Sequence, residues 1–88
     1  MAYKQQKQEL IKMYGKRCMV CGKKLTKNQI PAFHHRIPKS CGGSHDISNG
    51  CIVDLDCHCH IHKYKYGSKE YSEIDDTIQR NMSKFKRV

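Results

Sequence analysis

Tryptophan is absent, acidic residues number eight against seventeen Lys and Arg, and no apolar run approaches the length of a membrane span. Each shortage excludes something. A helix needs about 20 apolar residues to cross a bilayer, so no membrane partner is expected. With no tryptophan and only 38% apolar residues, an 88-residue chain has little from which to build a core. One domain, residues 1–88, is the most this length supports, and small domains with thin cores need a staple. The deficit of acids leaves a formal charge of +9, which suits a polyanionic partner. The opening Met1-Ala2-Tyr3-Lys4 is polar and basic where a secretory leader would be apolar. A soluble, cytoplasmic protein is the expectation.

Six Cys and six His are what the chain has in abundance. A disulfide framework would need an oxidising compartment, for which nothing in the sequence argues. A redox Cys-x-x-Cys would follow a strand in a βαβ setting, which is missing here. Cys18-Met19-Val20-Cys21-Gly22 instead has the spacing of a knuckle that presents two thiolates to one tetrahedral ion. Ligation of that kind contributes roughly 10–16 kcal/mol in isolated zinc-finger peptides, so structural Zn²⁺ is the expected staple. The positive charge is spread unevenly. Residues 1–17 carry five cations against one acid, residues 18–62 five against three, and residues 63–88 seven against four. Most of the excess therefore flanks the Cys/His centre, as suits attraction to backbone phosphates without base readout.

Along the chain, residues from about 3 to 14 suggest an amphipathic helix with Leu10, Ile11 and Tyr14 inward, ended by Gly15. The knuckle is expected to be a tight turn with Lys23 and Lys24 exposed, followed by irregular loop to Pro31. Residues 32–37 suggest a short strand stopped by Pro38. Lys39 to Asn49 is a Gly/Ser/Asn-rich loop, and Cys51-Ile52-Val53 a second strand able to pair with the first. A helix is expected from about Asp56 to Tyr66, closed by Gly67, with Asp54 and Asp56 at its favourable end. A last helix, about 71–83, would start at Ser72-x-x-Asp75 and bury Ile74, Ile78 and Met82, with Lys84 to Val88 frayed. The whole reads as α+β, with a core of about residues 18–66.

The imidazoles sort by geometry. Residues four apart on a helix share a face, so His58 and His62 can hold one ion together. Cys57 points roughly 100° away from His58, toward the knuckle. Two centres on one helix follow: one rich in sulfur and closed, one rich in nitrogen and open to water and phosphate. Cys18, Cys21 and Cys57 are three ligands of the first. Cys51 or Asp54 supplies the fourth, with Cys59 a weaker competitor. His34 and His35 would point to opposite sides of an ideal strand, so they divide two roles that spacing alone does not assign. Cys41, in the Gly loop, has no assigned role, and His45 and His60 read as surface residues.

The run His34-His35-Arg36-Ile37-Pro38, then Gly42-Gly43, Asn49 and Cys57-His58-Cys59-His60-Ile61-His62, resembles the small Cys-containing HNH endonucleases. The resemblance covers about Cys18 to His62, and Asp54 stands where the family has the first Cys of its second pair. It implies a small ββα-metal fold with a zinc knuckle and flanking helices. It also implies metal-dependent hydrolysis of DNA, by nicking or double-strand cleavage, with weak sequence preference. On that resemblance His34, His58 and His62 hold a catalytic divalent ion (Mn²⁺, Mg²⁺, Ni²⁺ or Zn²⁺), His35 is the general base, and Asn49 orients the base. Small chains of this family often come from phages or mobile elements and work with partner proteins of that setting. Arg36 and Lys39, beside the base, are candidates to hold the phosphate. A zinc-stabilised nucleic-acid-binding module, or an adaptor without catalysis, is the competing reading.

Overall fold

The first helix, α1 (Lys4–Tyr14), ends at Gly15, whose φ of 84° is left-handed and whose N–H returns to the Ile11 carbonyl at 2.7 Å. This computed structural model describes residues 4–44 and 46–87, so Tyr3, expected in the helix, lies outside the described residues. Leu10 is buried, and Ile11 and Tyr14 pack half-buried beside it, on the side the sequence indicates. The knuckle follows, then strand β1 (Ala32–His35), a loop with two 3₁₀ turns (Lys39–Cys41 and Ile47–Asn49), and strand β2 (Gly50–Val53). Helices α2 (Leu55–Ile61) and α3 (Lys69–Phe85) complete a small α+β chain.

The two strands form one antiparallel sheet, with Ala32 opposite Val53, Phe33 opposite Ile52, His34 opposite Cys51 and His35 opposite Gly50. β1 stops at His35, two residues short of the expected Ile37. Arg36 N–H still donates to the Asn49 carbonyl at 2.9 Å, in register with the ladder, but Ile37 N–H goes to the Asn49 side-chain oxygen at 3.0 Å and the pairing ends there. Gly50 is required where it stands, because a Cβ there would lie 2.2 Å from Phe33 Cζ. The fully buried side chains are few: Leu10, Met19, Ile52, Val53, Ile61 and Ile78, with Cys18 and Cys51. The thin core expected from composition is what the fold has.

Both later helices differ from expectation in their bounds. α2 ends at Ile61 rather than Tyr66, because Lys63 and Tyr64 donate to carbonyls three residues back, a tightening that closes the helix. Gly67, at φ 93°, closes the following turns. α3 starts at Lys69 rather than near Ser72: Ser68 is the cap, its Oγ accepting from Tyr71 N–H at 3.2 Å, and Ser72 N–H is already bonded to the Ser68 carbonyl. The stripe of Ile74, Ile78 and Met82 faces the core as expected, extended by Tyr71 and Phe85. Lys84 and Phe85 are helical rather than frayed, with Phe85 under the Arg17 guanidinium at 4.2 Å; Val88 lies outside the described residues. Asn81 donates to the Met19 carbonyl at 2.7 Å, tying α3 to the knuckle. Among the described residues no helix is long and apolar enough to cross a membrane.

α3 is tied to the end of β1 by an ion pair 39 residues apart in sequence, Arg36 Nε to Asp75 Oδ1 at 2.9 Å and Nη2 to Oδ2 at 3.3 Å. Burial raises the Asp75 carboxyl, but hydrogen bonds from Arg36 and Gln79 outweigh it and hold the group below its usual range. A carboxylate held low stabilises the fold above its unfolded value, and that contribution is lost as pH falls through the native one. Asp75→Ala is therefore expected to cost about 1–3 kcal/mol near neutral pH. In urea melts its deficit against the native chain should narrow below about pH 4.

Candidate metal and histidine sites

Cys18 and Cys21 converge because the knuckle is a closed turn: Gly22, at φ 76°, donates to the Cys18 carbonyl at 2.8 Å, and Cys18 N–H to that of Lys23 at 3.0 Å. Met19 N–H donates to the Ile52 carbonyl at 2.9 Å, fixing the turn to β2. From the other side comes the start of α2. Asp54 is its cap, with Oδ1 accepting from Cys57 N–H at 2.6 Å, while Oδ2 lies 4.0 Å from Cys21 Sγ. One carboxylate thus starts the helix with one oxygen and faces the thiols with the other. The sulfurs of Cys18, Cys21 and Cys57 and a carboxylate oxygen of Asp54 lie within 4.8 Å of one another, positioned to hold a metal ion.

The donor set fits such an ion. Zn–S bonds of about 2.3 Å put tetrahedral ligand atoms roughly 3.8 Å apart, well within the observed spread. Burial pushes the Cys18 thiol up, and burial together with Cys18 pushes Cys57 up. Thiols crowded in this way resist ionising alone, and a dication reverses that preference outright. Of the fourth donors left open by the sequence, Asp54 joins the cluster. Cys51 stands apart on β2, fully buried opposite His34, and Cys59 is exposed on α2. Cys41 is exposed in its loop.

A cluster of histidines begins one residue further along α2, at His58. His58 and His62, one turn apart, bring their Nε2 atoms to 3.0 Å. His34, 3% exposed on β1, has its ring 5.7 Å from that of His58. All three border a cavity of about 460 Å³, with His35 and Lys39 also on its wall. The strand alternation holds, since the His35 ring packs on Phe33 two residues back at 4.9 Å, yet both histidines border the cavity. Burial, then His58 and His62, push His34 down to about 4. Burial and His62 lower His58. The inner imidazoles are therefore neutral at physiological pH, the form that donates a lone pair to a cation. Among the described residues the histidines do not make a second group of three whose ligand atoms converge as tightly as the cysteine cluster.

Other residues sort differently. Arg36 does not reach the cavity as a free charge, being committed to Asp75. Lys39 alone of the two phosphate-holding candidates lines the cavity. His60 is exposed, its ring 5.3 Å from that of Tyr64, and His45 lies outside the described residues. The sequence reading missed the aromatic wall of Tyr64, Tyr66 and Tyr71. Tyr71 carries the one recoverable signal, an aromatic a helical turn ahead of Ile74 and Ile78. Its hydroxyl donates to the Arg36 carbonyl at 2.8 Å, beside the histidine pair.

Asn49 fastens the loop that carries Lys39. Its amide nitrogen donates to the carbonyls of Ile37 and Ser44 at 3.1 and 3.0 Å, and its oxygen accepts from Ile37 N–H. Gly43 lets the loop close, since a Cβ there would fall 1.7 Å from the Ile37 carbonyl oxygen. Asn49→Ala removes these hydrogen bonds, whose exposed partners on Ile37 and Ser44 then turn to water, and is expected to cost about 0.5–1.5 kcal/mol. Limited proteolysis should show faster cleavage between residues 37 and 49 in the variant than in the native chain. No known protein family, curated protein or solved structure matches the chain.

Proposed function

We propose that this chain is a metal-dependent DNA endonuclease of the HNH kind, built on a zinc-stapled ββα-metal core. One observation carries the reading: three histidines from β1 and α2 share a cavity with His35 and Lys39, beside a loop fastened by Asn49. Single imidazoles scatter over protein surfaces for many reasons. Two with ring nitrogens 3.0 Å apart, and a buried third whose ring lies 5.7 Å from one of them, support a nitrogen-rich ligand set.

In this reading the scissile phosphodiester lies in the cavity with Lys39 against a non-bridging oxygen. His35 takes the proton from the attacking water as general base. Asn49 keeps that end of the loop in register, a positioning role worth rate through geometry alone. His34, His58 and His62 would hold a divalent ion, which would supply charge stabilisation at the phosphate. Imidazole ligands favour Mn²⁺, Ni²⁺ or Zn²⁺ over Mg²⁺. Zinc in the Cys18, Cys21, Asp54 and Cys57 cluster is purely structural. With no base-reading element in view, sequence preference is weak, and DNA is met through its backbone. A nucleic-acid-binding module without hydrolysis is the second reading, favoured by the looser convergence of the histidines.

Incubating the protein with supercoiled plasmid and each of the four metals separates the two. Cleavage that depends on metal and on His35 supports the nuclease. Binding without cleavage under every metal leaves the module.

A further inference from the structure

A second cleft, of about 330 Å³, shares no residue with the histidine cavity. Lys16, Arg17, Lys24 and Arg87 line it, with Tyr14 and Phe85 as aromatic walls and no carboxylate among the described lining residues. The four cations come from three separate segments, and the fold holds each segment in place. Leu25 N–H donates to the Lys16 carbonyl at 2.9 Å, and Arg17 pairs with Lys24 as an antiparallel bridge, so the two lysines flank one short ladder. Arg17 is fixed twice, by Nη1 donating to the Gly22 carbonyl at 2.6 Å and by its stack on Phe85. Arg87 is brought over from the far end of α3 by its N–H to the Met13 carbonyl at 2.7 Å. Its guanidinium lies close over Gly15, where a Cβ would sit 2.9 Å from Nη2.

Four like charges gathered at one cleft repel one another. The ion pair found among the described residues, Arg36 with Asp75, is elsewhere and does nothing to relieve them. An anion between them would. Guanidinium forks and lysine ammonium groups around an aromatic floor suit phosphate oxygens.

We propose that this cleft is a phosphate-binding site for the backbone of a nucleic acid, anchoring the strand away from the histidine cavity. It rests on the nucleic-acid reading above and adds a contact path that the histidine site alone does not provide. Because backbone phosphates carry no base identity, the site contributes affinity and salt dependence without sequence preference.

The test is fluorescence anisotropy of the full chain, loaded with one equivalent of zinc for the cysteine cluster and no other metal, on a labelled 20-base-pair duplex across a salt series. The cleft variant combines Lys16→Gln, Lys24→Gln and Arg87→Gln, leaving Arg17 to hold its turn. A control combines Lys4→Gln, Lys27→Gln and Lys69→Gln, exposed lysines outside the cleft that remove the same charge. Three lost phosphate contacts should lower the slope of log affinity against log salt by about 2.5–3 and weaken binding about 10²-fold or more at 0.1 M salt. The control should change the slope by less than about one unit. Lys16→Arg with Lys24→Arg should keep the native slope, which a fold defect would not. Equal slopes for cleft variant and control overturn the proposal while leaving the nuclease reading standing. Displacement of the duplex by inorganic phosphate at matched ionic strength would make this a free-anion site and overturn the backbone assignment. A native chain that binds no duplex at all overturns both.

Discussion

Stripping the chain with a strong chelator is expected to unfold it at room temperature, with a matching loss of helical circular dichroism and release of one zinc from the cysteine cluster. Among the described residues the largest fully buried side chains are eight, and one of them, Cys18, belongs to the cluster itself. Small domains have total stabilities of about 5–15 kcal/mol, and structural zinc alone contributes roughly 10–16 kcal/mol in finger peptides. Removing a term of that size leaves too little to hold the fold. Cys18→Ser and Cys57→Ser should reproduce the effect. Asp54→Asn should do less, since the amide oxygen can still accept from Cys57 N–H while binding the ion more weakly. Cys51→Ser should release no zinc, because Cys51 lies outside the ligand set. A melting temperature indifferent to chelation would show that the core stands without its staple.

On the proposed nuclease reading, the second large effect is on cleavage. His35→Ala is expected to lower plasmid nicking by about 10²–10⁴-fold, the usual worth of a positioned general base, with the circular dichroism spectrum unchanged. His58→Ala and His62→Ala should fall as far by a different route, and part of their activity should return at higher metal concentration. That rescue separates ligand from base: extra metal cannot restore a missing proton acceptor. Lys39→Ala should lower activity more modestly, about tenfold or more, as suits one lost charge contact to phosphate. Identical, metal-independent traces from all four variants and the native chain would favour the binding module.

Much of this arrangement is legible in the residues, for identifiable reasons. The Cys-x-x-Cys-Gly turn is a local device, with ligands three apart and a glycine for the left-handed step, and it stands as expected. The pairing of the two strands and the sharing of a face by His58 and His62 follow from periods of two and of 3.6 residues. What was not legible depends on contacts across the chain or on which residue begins a helix. Asp54 and Cys51 both lie within a few residues of Cys57. Only when Asp54 becomes the cap of α2 does its second oxygen turn toward Cys21. Arg36 looked available because nothing near it in sequence could neutralise it, yet its partner waits 39 residues away on α3. Helix α2 stops early because tight turns follow Ile61, while polar residues on either side of that point look alike from sequence. The basic cleft was invisible for the same reason, its cations being contributed by segments 14–17, 24–25 and 85–87.

On the proposed reading, neighbouring residues of α2 serve two metal sites, Cys57 one and His58 the other. X-ray absorption at the metal edge of the protein loaded first with one equivalent of zinc and then with nickel tests this most directly. Zinc should show three sulfur ligands and one oxygen, and nickel should show imidazole scattering that disappears in His58→Ala with His62→Ala. A zinc shell of four sulfurs, or nickel with the same environment in native and variant chains, would contradict it.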